Sequence, residues 1–265
     1  MTNQVDELIG ISIEGPIAIV TLQNPARRNA FSPAMRDQMI PALRQALEDT
    51  AVRSIVLTGA ANTFCAGGDI STWGTSGDGT LLEYRGRMAR YHELLRLMVA
   101  GPKPLVAAVE GHAYGAGMSL ALACDYVVAA SNAKFCSAFA RVALIPDVGL
   151  LWTLPQRVGM AKAKELITLA VEFDGVEAGR LGAVNQVVEP GAALTAALAI
   201  AHRYAEMAPV AFALAKAAFA DGSVNTLEGA MHAELNSQST LRKTSDHRAA
   251  AQAFLEKRKV SFIGD

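Results

Sequence analysis

Two turns built almost wholly from small residues constrain this chain most, because each follows a short apolar run that reads as a buried strand. Ser-Ile-Val-Leu-Thr at 54–58 leads towards Phe64-Cys65-Ala66-Gly67-Gly68-Asp69-Ile70. Leu-Val-Ala-Ala-Val at 105–109 leads into Gly111-His112-Ala113-Tyr114-Gly115-Ala116-Gly117-Met118-Ser119. Glycine and alanine leave the main chain bare, so a ligand can approach its N–H groups. At the start of a helix those N–H groups lack intrahelical acceptors and carry positive potential. Two such donors converging on one oxygen make an oxyanion hole. Taken singly, each segment reads equally well as a tight turn after a buried strand.

The surrounding pattern alternates strands with helices. Residues 11–14 and 17–22 read as paired strands turning at Gly15-Pro16. Ser32-Pro33 reads as an N-cap followed by Pro at the first helical position, opening a helix towards Thr50 that Pro41 should bend or split. Residues 71–80 read as a mobile Gly/Ser/Thr-rich stretch, and 81–99 as an amphipathic helix carrying Arg85, Arg87, Arg90 and Arg96. After a glycine-rich turn at 111–117 come a helix at 116–123 and strands near 126–129 and 133–136. Beyond Pro146 the pattern is mainly helical and alanine-rich, with one extended piece at 186–188.

Composition removes whole function classes. A formal net charge of −1 with no long run of one sign offers no field for nucleic acid. Cys65, Cys124 and Cys136 are odd in number and widely spaced, with no CxxC pair, which argues against a disulfide framework or a zinc site. No apolar run reaches membrane-spanning length, and the first residues lack a signal-peptide pattern, so a cytoplasmic setting is expected. With 51% hydrophobic and 18% charged residues, some surface is expected to be hidden in subunit contacts.

The two turns are far more specific in company. Asn24-Pro25-Ala26-Arg27-Arg28-Asn29-Ala30-Phe31, then Phe64 to Ile70, then Gly111 to Gly117 resemble the enoyl-CoA hydratase/isomerase (crotonase) family, in order and separation. The likeness continues through Ala143-Leu144-Ile145-Pro146-Asp147-Val148-Gly149, Ala183-Val184-Asn185-Gln186-Val187-Val188 and Phe254-Leu255-Glu256-Lys257-Arg258-Lys259. The resemblance implies an α/β fold, a crotonase-like spiral of ββα units over residues 1–200 with a helical trimerisation region over 201–265. It implies homotrimers, or dimers of trimers. A coenzyme A thioester is then the substrate, and no tightly bound cofactor or metal is needed. Its oxygen is expected between the N–H groups of Gly68 and Ala116. Arg27, Arg28, Ala66, Asp69 and Ile70 are expected to hold the CoA moiety, joined by Phe254 and Lys257 from the C-terminal helix. Lys257 reads equally as a solvated lysine in a charged tail.

The chain departs from a hydratase of that family where it matters most. The family's two glutamates are replaced by Ser119 and Phe139, which are left as substrate-contacting positions. A serine needs activation to act as a base, and phenylalanine has no proton chemistry. In dienoyl-CoA isomerases and in the phenylacetate-type ring-opening (epoxyphenylacetyl-CoA) isomerases, an aspartate at the position of Asp147 works on the acyl chain. Asp147 is therefore the expected proton carrier of a double-bond or ring isomerase, with helix capping as its competing role. The branch usually has a second glycine where this chain has Leu150. Alternatives are a hydratase-like lyase using another acid, such as Glu83 or Glu110, and a CoA-binding subunit with reduced catalysis. Gly117-Met118-Ser119-Leu120-Ala121 approaches a serine nucleophile elbow, but its serine falls inside a helix instead of directly after a strand. The glycine spacing does not fit a dinucleotide-binding turn.

Overall fold

The computed structural model describes residues 7–72 and 79–265, so most of the stretch expected to be mobile lies outside the described residues. Strands β1 (Ile9–Glu14) and β2 (Ile17–Leu22) form the antiparallel hairpin. Helix α1 (Pro33–Glu48) starts at the Ser32 cap, whose hydroxyl accepts from Met35 N at 3.1 Å. Pro41 does not split α1, which runs unbroken around it. Then come β3 (Ser54–Gly59), α2 (Leu81–Ala100), β4 (Leu105–Val109), β5 (His112–Tyr114) and α3 (Ala116–Leu122). These are followed by β6 (Tyr126–Ala130), β7 (Lys134–Cys136), α4 (Leu150–Val158), α5 (Met160–Thr168), β8 (Glu172–Asp174) and α6 (Gly175–Arg180). The chain ends with β9 (Gln186–Val188), α7 (Ala193–Ala205), α8 (Pro209–Ala220), α9 (Leu227–Leu241) and α10 (Ser245–Leu255).

The main sheet has the order β1-β2-β3-β4-β6-β9 and is parallel from β2 onwards. A small second sheet, β5-β7-β8, lies beyond it. Strands β4, β5 and helix α3 make one ββα turn of a spiral, and β6 and β7 begin the next. The expected glycine-rich turn at 111–117 thus holds a short strand, and β8 is a further strand that the sequence pattern did not disclose. Three-residue strands are too short for alternation to reveal.

The main sheet is apolar on both faces because both are covered. Ile55, Leu57 and Ala107 face the larger core with α1, α2 and α3, while Val56, Val106 and Val128 pack under Ala193, Ala197 and Ala201 of α7. Helix α7 is therefore part of the sheet layer, and a border at residues 200/201 would cut through it. Two carboxylates named as alternative acids serve as helix caps. Glu83 closes a capping box with Thr80 at the start of α2, and Glu110 accepts from Gly191 N and Ala193 N, both at 3.0 Å, at the start of α7.

The helical C-terminal part is tied to the sheet by one buried ion pair. Lys216 of α8 reaches Asp125 at 2.6 Å and the Lys103 carbonyl at 3.0 Å, while Asp125 also accepts from Leu105 N. The Lys216 side chain is 4% exposed, so deleting it strands a carboxylate in the interior. Lys216→Met should lower the unfolding free energy by about 3 kcal/mol. Urea denaturation at neutral pH measures this, and a loss below about 1 kcal/mol would show the pair to be dispensable.

Candidate active site

The two small-residue turns lie side by side because their backbones pair directly. Cys65 bridges Ala113 in parallel, taking a hydrogen bond from Tyr114 N at 3.0 Å and giving its own N–H to His112 O at 2.7 Å. Such proximity leaves little room for side chains at Gly117 and Gly67. A Cβ on Gly117 would sit 2.4 Å from Cys65 O, and one on Gly67 would lie 3.1 Å from Tyr114 O. Gly115 adopts φ 47, ψ −118 as the residue before α3, a conformation open to glycine.

A second bridge fixes Gly68, the first of the two expected donors. Phe31 pairs with Gly68 through Phe31 N to Gly67 O at 2.7 Å and Asp69 N to Phe31 O at 3.3 Å. Because the bonds run through the neighbours of Gly68, its own N–H faces away from Phe31. Ala116 is the first residue of α3, where an N–H has no intrahelical acceptor. The Ser119 hydroxyl is fully buried and donates back to Gly115 O at 3.2 Å, which occupies it structurally. Phe139, also buried, packs its ring edge 3.9 Å from where a Gly115 Cβ would be.

The loop from Asn24 to Phe31 is fastened to the first turn by side chains. Asn29 is fully buried; its amide donates to Ala60 O and Thr63 O at 2.9 and 2.8 Å, and its carbonyl accepts from Asn24 N. Arg28 is left-handed at φ 50, and its carbonyl takes the Ala66 N–H at 3.0 Å. Arg27 pairs with Asp69 at 3.1 Å and also bonds the Ser71 hydroxyl. Burial pushes the Asp69 carboxyl up, but hydrogen bonds from Ser71 and the Arg27 charge outweigh it and hold it below the usual range. Asp69 therefore locks the turn and remains ionised.

Asp147 stands in contrast. It does not cap α4, whose N-cap is Gly149 with no side-chain bond. One of its carboxylate oxygens, Oδ1, is buried without a hydrogen-bond partner, and burial pushes its pKa up to about 6. The backbone after it is unusual: Val148 has φ 46 and Gly149 φ 79. A β-branched residue in the left-handed region is strained, and burial of its side chain in the core holds it there. Gly149 packs against Leu95 of α2, where an added Cβ would meet the leucine at 2.6 Å. Tyr91, one turn earlier on α2, packs 6.0 Å from Phe31, centroid to centroid, with the Arg36 guanidinium 4.8 Å above its ring.

The structure thus gathers Arg27, Arg28, Ala66, Gly68, Asp69, Ala116, Ser119 and Phe139 around the paired turns. Ile70 follows directly and is 63% exposed. Phe254, 82% exposed, and Lys257 lie on or just after α10, and among the described residues no hydrogen bond or ion pair links them to the turns. Asn29 and Tyr91 are the residues that sequence reasoning passed over. An asparagine in a loop and a tyrosine in an amphipathic helix carry no signal until their neighbours are known. Among the described residues no group of His, Cys, Asp and Glu is placed to hold a metal ion, and no helix is long and apolar enough to cross a membrane.

Known proteins resemble this chain over nearly its whole length. A family model described as enoyl-CoA hydratase/isomerase matches residues 12–265. A probable enoyl-CoA hydratase of Rhodobacter capsulatus is 38% identical over 97% of this chain and 98% of its own. The 1,2-epoxyphenylacetyl-CoA isomerase of Escherichia coli is 34% identical, covering 97% of this chain and 99% of that one. The crystal structure of an enoyl-CoA hydratase from Polaromonas sp. JS666 superposes with a TM-score of 0.90 at 36% identity, over 96% of this chain and 99% of that chain. The chain therefore belongs to the enoyl-CoA hydratase/isomerase family, with the crotonase-like fold, and is an acyl-CoA enzyme.

Proposed function

We propose that this acyl-CoA enzyme is an isomerase, shifting a double bond or a ring in the acyl group, with Asp147 as its proton carrier. The observation that carries this reading is the Asp147 carboxylate itself: buried, with one oxygen lacking a partner, in a chain with Ser119 and Phe139 where two acids would serve hydration. The N–H groups of Gly68 and Ala116 hold the thioester oxygen. Asp147 takes a proton from one carbon of the acyl chain, and the electron pair moves through the chain onto the thioester oxygen. The oxyanion donors stabilise that dienolate, and the protonated Asp147 returns its proton at another carbon. One carboxylate serves both steps, so no second acid is required.

The CoA moiety lies along Arg27, Arg28, Ala66, Asp69 and Ile70. Assembly into a trimer, or a pair of trimers, is proposed through the C-terminal helices. Leu227, Met231 and Leu235 recur at four-residue spacing on α9, all exposed, as are Phe254 and Leu255. In such an assembly Phe254 and Lys257 would reach CoA bound to a neighbouring subunit.

Deuterium exchange from solvent into the α and γ positions of an enoyl-CoA tests the mechanism. Exchange should be rapid in the parent and fall at least about a hundredfold in Asp147→Asn. Tight CoA binding with no exchange in the parent would instead favour a binding subunit, and net hydration by the parent would favour a lyase. The proton-abstracting form is the carboxylate, so kcat/KM should rise through about pH 6 and level off above it.

Stability should move in the opposite direction. The folded pKa of about 6 lies above the ordinary 3.8, so between these values the folded state retains a proton that the unfolded state has lost. The contribution of Asp147 to stability therefore declines as pH rises through that window. Asp147→Asn should be more stable than the parent at neutral pH by on the order of 2 kcal/mol, with the difference vanishing below the unfolded pKa. Urea unfolding at the two pH values measures it.

A further inference from the structure

Tyr91 has no part in the proton transfer just described, yet the fold gives it a guarded position. It lies on the same face of α2 as Leu95, four residues on, and Leu95 packs against Gly149, two residues after Asp147. On its other side, the Tyr91 ring meets Phe31, whose backbone carries the bridge to Gly68. Tyr91 is therefore set between the backbone bridge at Gly68 and the segment that follows Asp147. Burial raises the pKa of its hydroxyl, the Arg36 guanidinium draws it back by its charge and by a side-chain hydrogen bond, and the charge of Asp147 raises it again. Arg36 is itself occupied, giving Nε and Nη2 to Asp37 and Nη1 to Arg87 O, so it polarises the phenol but has no fork left for a substrate anion. The other walls named here, Phe31, Leu95 and Phe139, are hydrocarbon.

We infer that Tyr91 is a specificity-determining residue of the acyl site, a hydrogen-bond donor facing Asp147 across the acyl group that selects acyl-CoAs bearing an oxygen substituent. This rests on the reading that the acyl group lies beside Asp147. The phenol oxygen accepts from Arg36, so a hydrocarbon acyl group leaves the phenol proton without an acceptor on closing the site, whereas a hydroxyl, epoxide or carbonyl oxygen accepts it. Sites that hydrogen-bond a substrate oxygen discriminate against analogues lacking it, since the buried donor is then left unpaired.

The test is calorimetric titration of the full-length protein with hexanoyl-CoA and its 3-, 4- and 5-hydroxy derivatives. At least one hydroxy isomer should bind about tenfold more tightly than hexanoyl-CoA. Tyr91→Phe should abolish that preference, and Tyr91→His, which keeps a donor, should restore part of it. Thermal melting of both variants separates selection from loss of fold. The inference is overturned if no hydroxy isomer is preferred by the parent, if the preference survives in Tyr91→Phe, or if hexanoyl-CoA and the hydroxy isomers weaken alike. Because this is a binding measurement, it stays readable if Asp147→Asn leaves exchange intact, an outcome that would sink the isomerase mechanism alone.

Discussion

The contact between Cys65 and Ala113 organises this site, and it is made entirely of main chain. Two short N–H···O bonds bring together turns nearly fifty residues apart. The approach is so close that Gly67 and Gly117 have no room for a side chain without displacing a carbonyl. Backbone pairing of this kind aims donors with less freedom than side chains have, because no rotamer has to be chosen. The Phe31–Gly68 bridge, the Asn29 tethers and the Arg27–Asp69–Ser71 cluster then brace the first turn from outside. The proposed oxyanion donors are thus held by backbone contacts of the fold itself, which is what electrostatic preorganisation requires.

Asp147 departs from the satisfaction rule that the rest of the site obeys. Asp69, itself part of the first turn, is paired and hydrogen-bonded and stays ionised. Asp147 has burial but no compensating donor on Oδ1, and it is followed by a valine in a strained left-handed conformation. Both features cost stability, and both are held in place by packing of Val148, Gly149 and Leu150 against the core and α2. A carboxylate in such surroundings can both accept and return a proton near neutral pH, whereas a well-paired one cannot. The two aspartates show how one residue type is assigned to structure or chemistry by its neighbours alone.

Much of this was legible in the chain. The hairpin, the Ser32-Pro33 helix start, the strands of the main sheet and the order of the family motifs follow from local patterns of apolar, turn and capping residues. The parts that were not legible depend on contacts made across long separations. Strands β5 and β8 are three residues each and exist only because β7 lies between them. Helix α7 reads as one more alanine-rich helix, yet it covers one face of β2, β3, β4 and β6. Glu83 and Glu110 looked available for chemistry, and their carboxylates turned out to cap helices.

By itself, then, the sequence determined the fold family, the pair of turns and the absence of the two glutamates, because these depend on which residues stand where along the chain. Only the tertiary structure decided that Asp147 Oδ1 is buried without a partner while Asp69 is tied down, that Ser119 is sealed inside its helix, and that the Tyr91 ring packs against Phe31. Burial and partnership set those roles, and both arise from residues distant in sequence that the spiral brings into contact.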